Sequence, residues 1–124
     1  MQNNKVIIKK IKKDMRGLFA NEDMPKNSLI FILKGNHMAE PTRTSIRVRD
    51  KNIEHYEGGL MNHHCNPSTE IRTIKNVKEG FVIAKKHINK GEEITFDYES
   101  VEPKLSHPFH CDCHGKLIVG RDEQ

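Results

Sequence analysis

Asn62-His63-His64-Cys65-Asn66-Pro67 and, further along, Gly91-Glu92-Glu93-Ile94-Thr95-Phe96-Asp97-Tyr98 are the two stretches from which the rest of this 124-residue chain can be read. Neither is what a packed strand or helix selects. Adjacent histidines, a thiol and two asparagines place strong hydrogen-bonding groups where burial costs about 1–3 kcal/mol for each one left unpaired. A run of this kind predicts a site rather than a core.

Around these stretches the hydrophobic period is two rather than 3.6. Ser45 to Arg49 alternates, as do Glu70 to Ile74 in part and Lys5 to Ile11 loosely, while Leu29 to Leu33 and Phe81 to Ala84 are short apolar runs. All five predict strands. Turns are signalled at Lys34-Gly35-Asn36, Gly58-Gly59, Lys78-Glu79-Gly80 and Asn89-Lys90-Gly91, where glycine tolerates backbone that other residues avoid. No segment supports an amphipathic helix longer than about two turns. The expected fold is therefore mainly β, with Asn62 to Pro67 and the surroundings of Tyr98 at strand ends or loops, where a rigid frame usually carries its site.

Composition narrows the field. The length suits one modest core. No apolar run approaches membrane-span length, and lysines interrupt the N-terminal apolar residues, so neither a membrane segment nor a secretory signal is expected. Three cysteines do not make a disulfide framework, and favour a reducing, intracellular, soluble setting, cytoplasmic or nuclear. A net charge of +4 spread along the chain fits a solvated surface better than a nucleic-acid groove.

In order and separation, the two opening stretches resemble the signature motifs of SET-domain protein-lysine methyltransferases. Gly17-Leu18-Phe19-Ala20 resembles that family's N-terminal cofactor segment, and Phe109-His110-Cys111-Asp112-Cys113 resembles the start of its C-terminal tail. The resemblance implies a SET-domain, β-clip fold with a C-terminal pseudoknot. Residues 1–102 would form the SET domain, with a variable insert at about 36–58, and residues 103–124 a tail. The segment near Asn62 would be threaded beneath a C-terminal loop, a rare exception to unthreaded topology, so that Asn62 and Tyr98 meet.

The same resemblance implies S-adenosylmethionine as cofactor and a lysine side chain of a protein, a histone or another, as substrate. Tyr98 is the expected catalytic residue, orienting the amine and accepting weak C–H···O contacts from the methyl group. Phe96 stands where the family sets how many methyl groups fit; without a hydroxyl to anchor water, it implies di- or trimethylation. Asn62, the His63 backbone, Arg16, Gly17, Leu18, Phe19, Tyr98 and Phe109 are the expected cofactor contacts. Met15 replaces a second glycine of the family pattern, so the family's loop conformation is not carried over to that position.

Cys65, Cys111 and Cys113 match three of the four cysteines that hold a structural zinc in relatives with a complete tail, and Ile118 occupies the fourth position. His110 or His114 could complete a site. The preferred reading is a tail packed without metal. Two other classes remain open: a catalytically silent SET-fold module that binds protein or peptide, and a small zinc protein on nucleic acid. Oligomeric state is not legible.

Overall fold

The computed structural model describes residues 5–13, 15–49, 51–111 and 115–123. Its strands are β1 (Val6–Lys12), β2 (Met15–Ala20), β3 (Leu29–Leu33), β4 (Asn36–Met38), β5 (Ser45–Val48), β6 (Lys51–Glu54), β7 (Asn62–His63), β8 (Thr69–Thr73), β9 (Gly80–Ala84), β10 (Glu93–Phe96), β11 (Phe109–His110) and β12 (Leu117–Ile118). Helical structure among the described residues is limited to 3-10 turns, η1 (Gly58–Leu60), η2 (Tyr98–Ser100) and η3 (Arg121–Glu123). The mainly β expectation holds, and each of the five segments with period-two or apolar-run patterning forms a strand.

The sheet that matters for the site runs β1-β2-β10-β7. β1 and β2 are antiparallel, as are β2 and β10, whereas β10 and β7 pair in parallel, Thr95 opposite Asn62 and Phe96 opposite His63. β10 is interior, and its Ile94, Thr95 and Phe96 are all buried, as expected of a strand covered on both faces. Its polar atoms are satisfied locally: Thr69 Oγ1 donates to the Thr95 carbonyl at 2.7 Å, and the Thr95 N–H donates to Ser68 Oγ at 3.0 Å. β1 is an edge whose outer residues are mostly exposed lysines, a charge pattern that discourages edge-to-edge pairing.

Two antiparallel three-stranded sheets, β3-β9-β8 and β4-β6-β5, complete the body. The second is built from the 36–58 stretch. Leu18, Leu33, Ile46, Ile53, Met61, Val82 and Ile94 form a fully buried centre shared among the sheets. The Asn89-Lys90-Gly91 turn behaves as its sequence predicts, with Gly91 at φ 93°, a conformation glycine adopts without a Cβ penalty. Gly58 and Gly59, expected as a simple turn, instead begin η1.

The C-terminal tail returns to this sheet. β11 and β12 pair, Phe109 opposite Ile118, and Leu105, Cys111 and Ile118 make a small second core against Cys65, Tyr98 and Phe109. The Asn62–Cys65 segment thus pairs with β10 through β7, and its Cys65 packs against the tail core. Glu99 fastens the tail down. Its carboxylate accepts from the backbone N–H groups of Val119 and Gly120, both at 3.2 Å, and pairs with Lys116 Nζ at 3.0 Å.

Candidate active site

Parallel pairing of β7 with β10 brings the two sequence motifs together. Tyr98, just past β10, donates its hydroxyl to the Met61 carbonyl at 2.7 Å, and its backbone N–H donates to His63 Nδ1 at 3.0 Å. Its ring meets Phe96 at 4.8 Å, His63 at 5.3 Å and Phe109 at 5.7 Å between centroids. Burial, then the charges of Glu93 and Glu102, push the Tyr98 phenol well above its ordinary pKa, with Arg43 opposing them. The phenol is therefore neutral at physiological pH, a hydrogen-bond donor to Met61 that keeps lone pairs for an incoming N–H or C–H.

Asn62 is fixed from two sides. Its Nδ2 donates to the Arg16 carbonyl at 3.1 Å and to Glu93 Oε2 at 2.7 Å, which leaves Oδ1 as an acceptor for a donor such as an ammonium. Gly17 permits this arrangement. A Cβ there would lie 2.7 Å from Ile11 Cδ1, 2.9 Å from Glu93 Oε2 and 3.0 Å from Asn62 Nδ2. The need for glycine is one of space rather than of unusual φ. Met15 begins β2 and pairs with Lys12, where a register shift between Lys10 and Lys12 makes the β1–β2 ladder irregular.

These groups line one cleft of about 600 Å³, which runs from Lys12, Met15 and Arg16 past Asn62, Met61, Phe96 and Tyr98 to Phe109. That volume is in the range of small-molecule sites. Of the residues expected at the cofactor, Arg16, Asn62, Tyr98 and Phe109 line it. Gly17, Leu18, Phe19 and His63 do not: Leu18 pairs with Ile8 and Ile94, and Phe19 with Ile7 and Glu93, so neighbouring strands flank both.

His63 is placed differently from the expectation of a backbone contact alone. Its side chain, 2 % exposed, accepts the Tyr98 N–H at Nδ1, so the neutral ring carries its proton on Nε2, which faces Cys65 Sγ at 3.4 Å. Burial lowers the His63 pKa, against the raising effect of Asp97 and Glu99, which keeps the ring neutral. His63 thereby links the Tyr98 backbone to the Cys65 thiol.

Cys65 and Cys111 stand with Sγ atoms 3.7 Å apart, and with His63 they form a compact group of metal-ligating atoms. Tetrahedral thiolates about 2.3 Å from a zinc lie about 3.8 Å apart, so the two sulfurs fit as ligands. His63 fits less well, since Nε2 holds the proton while Nδ1 serves Tyr98. Cys113 and His114 lie outside the described residues; His110 is exposed on β11, and Ile118, at the fourth expected position, is fully buried in the tail core.

Sequence reading missed Glu93, Glu102, Arg43 and the His63 ring. Glu102 is buried beside the cleft and accepts the Arg47 backbone N–H at 2.6 Å. Burial pushes its pKa up to about 6, although the Arg47 N–H and the Arg47 charge pull it down. Nothing in the local sequence marks it, because its partner is on a distant strand.

The SET-domain family model matches residues 15–99. Among curated proteins, the chain is similar to the Drosophila melanogaster histone-lysine N-methyltransferase trr, 28 % identical over 89 % of this chain and 5 % of that protein. It is also similar to an H3 lysine-36-specific histone-lysine N-methyltransferase of Mycosarcoma maydis, 29 % identical over 84 % of this chain and 13 % of that protein. The chain thus spans a small part of these relatives' length. A solved Plasmodium falciparum protein assigned as a histone methyltransferase superposes with a TM-score of 0.62 at 27 % identity, covering 79 % of this chain and 95 % of that one. With this match and the β7–β10 geometry together, the chain belongs to the SET-domain family.

Proposed function

We propose that this chain transfers methyl groups from S-adenosylmethionine to a lysine side chain of a protein substrate, carrying the lysine to the di- or trimethyl state. The observation that carries the reading is the convergence of Tyr98, Phe96 and Asn62 on one cleft, in a chain of a family whose similar members are named histone-lysine methyltransferases.

S-adenosylmethionine, when bound, supplies an electrophilic methyl group on a positive sulfonium. The transfer would break the S–CH3 bond as the N–CH3 bond formed, leaving the electron pair on sulfur and the amine's surplus proton to solvent. Asn62 Oδ1 is positioned to accept from an ammonium, and the Tyr98 oxygen to hold the amine in line. Alignment of this kind supplies several kcal/mol of a displacement barrier. The nucleophile must be a neutral amine, whereas free lysine titrates near 10.4. Burial among Phe96, Tyr98 and Phe109 disfavours the ammonium by desolvation, while aromatic faces still tolerate a methylated cation.

A zinc held by Cys65 and Cys111 would be structural, tying the tail to the Asn62–Cys65 segment, and no step of the transfer depends on it. The silent-module reading draws on Met15 and on the incomplete cysteine set, and methyl transfer itself discriminates it. The test is incubation with isotope-labelled S-adenosylmethionine and protein lysates, with mass spectrometry of the labelled band. Label on lysine supports the reading; calorimetric cofactor binding with no transfer to any lysate would replace it with the silent module.

A further inference from the structure

The wall of the cleft is unevenly charged. Lys12, Lys13, Arg16 and Arg43 line it, with His107 at the tail side, and the lining carboxylate is Glu102. The four cations are exposed. Glu102 is buried and already accepts the Arg47 N–H. Nearby carboxylates are also committed within the chain: Glu54 accepts from the hydroxyls of Thr42 and Thr44, and Glu93 from Asn62. None of the four cations makes an ion pair with another described residue; Asp14, beside Lys13, lies outside the described residues.

Exposed lysines are commonly just solvated. Here, however, the cations come from two separate segments, the β1–β2 hairpin and the approach to β5, and they border the same cavity as Tyr98; with Arg16 beside Asn62 at the cofactor end, Lys12, Lys13 and Arg43 are left to meet the peptide. Arg43 is near enough to the phenol for its charge to act on it. At physiological salt such charges act over about 8 Å, the span of a few residues on either side of a seated lysine. A strongly basic peptide would carry like charge into this rim, whereas carboxylates flanking the target would find partners.

We infer that the cleft selects a target lysine flanked by acidic residues rather than one in a strongly basic tail. This inference rests on the lysine methyl-transfer reading and narrows its substrate class. The alternative occupant, a nucleic-acid backbone, is less favoured because the net charge is only +4 in 124 residues and its cations are spread along the chain.

The experiment measures binding and transfer separately. Fluorescein-labelled peptides with one central lysine and Glu/Asp, Ser/Gly or Arg/Lys flanks are titrated by anisotropy into the full chain with S-adenosylhomocysteine present, at two salt concentrations, beside a 20-base-pair duplex. Acidic flanks are expected to bind about tenfold or more tightly than basic ones, with the difference narrowing at high salt. The Lys13→Glu, Arg43→Glu double variant should erase or invert the order, and the milder Lys13→Gln, Arg43→Gln pair should shrink it. Equal or tighter binding of basic peptides, a preference unchanged in both variants, or tighter binding of duplex than of any peptide each overturns the inference. Acidic-peptide preference without methyl transfer would instead sink the transfer reading alone, and transfer without that preference would sink the charge assignment alone.

Discussion

The hydroxyl of Tyr98 and the carbonyl of Met61 are joined by a 2.7 Å hydrogen bond that closes the gap between segments on either side of the β7–β10 pair. It orients a phenol that burial and the charges of Glu93 and Glu102 keep protonated.

Tyr98→Phe should reduce methyl transfer by about 10²–10³ while cofactor affinity changes only a few-fold, because the lost oxygen acts chiefly on the transition state. The Met61 carbonyl also loses its donor, so a stability loss of about 1 kcal/mol is expected beside the kinetic one. Single-turnover kinetics with a parallel melting curve separates the two. Near-wild-type turnover would remove Tyr98 from the role.

Asn62→Ala removes an acceptor placed for an ammonium and a donor to Arg16 and Glu93. S-adenosylmethionine binding should weaken by roughly 1.5–3 kcal/mol, the range for a hydrogen bond to a charged group. Calorimetry on protein shown to be folded by circular dichroism checks this, and unchanged affinity would mean that Oδ1 faces something else.

Phe96→Tyr tests product multiplicity. Phe96 is buried 4.8 Å from the Tyr98 ring, and an added hydroxyl there would recruit a water whose displacement by a methyl group costs hydrogen bonds. Mass spectrometry of a modified peptide should show di- and trimethyl-lysine for the wild type and a shift toward monomethyl-lysine for the variant. A wild type that stops at one methyl under excess cofactor would contradict the gate.

Glu99→Ala should loosen the tail without unfolding the body. It deletes an acceptor for Val119 and Gly120 and the partner of Lys116, leaving two backbone donors to find water. The docking loss is on the order of 3 kcal/mol. Hydrogen exchange should accelerate at residues 117–120 and not in β8 or β9; uniform protection across the chain would show that the carboxylate does not hold the tail.

Glu102 gives a pH signature. Its folded pKa of about 6 lies above its ordinary value of 4.5, so between those values the folded state binds more protons than the unfolded state, and stability falls as pH rises through the window. His55 works in the opposite direction: burial, aided by Lys34, lowers its pKa, so its contribution falls as pH drops below about 6.5. Glu102→Gln should remove the first component and raise stability at pH 7 by about 2 kcal/mol, leaving only the acid-side loss. Denaturant melts from pH 4.5 to 7.5 measure both slopes, and identical profiles for the two proteins would refute the assignment.

The sequence alone carried the β character, because alternation in Ser45 to Arg49 and the apolar runs at Leu29 to Leu33 and Phe81 to Ala84 follow directly from which faces of a strand are buried. Asn62, Phe96 and Tyr98 stand out through motifs that resemble those of the SET family, and the fold brings them to one cleft. The rest depended on tertiary structure. That Gly17 is required for space follows from the approach of Ile11, Glu93 and Asn62; that Leu18 and Phe19 are flanked by strands on both sides follows from β10 inserting beside β2. The roles of His63, Glu102 and Arg43 likewise arise where distant segments meet, because burial, hydrogen-bond satisfaction and local field are properties of the neighbours a residue acquires on folding, and no local pattern encodes them.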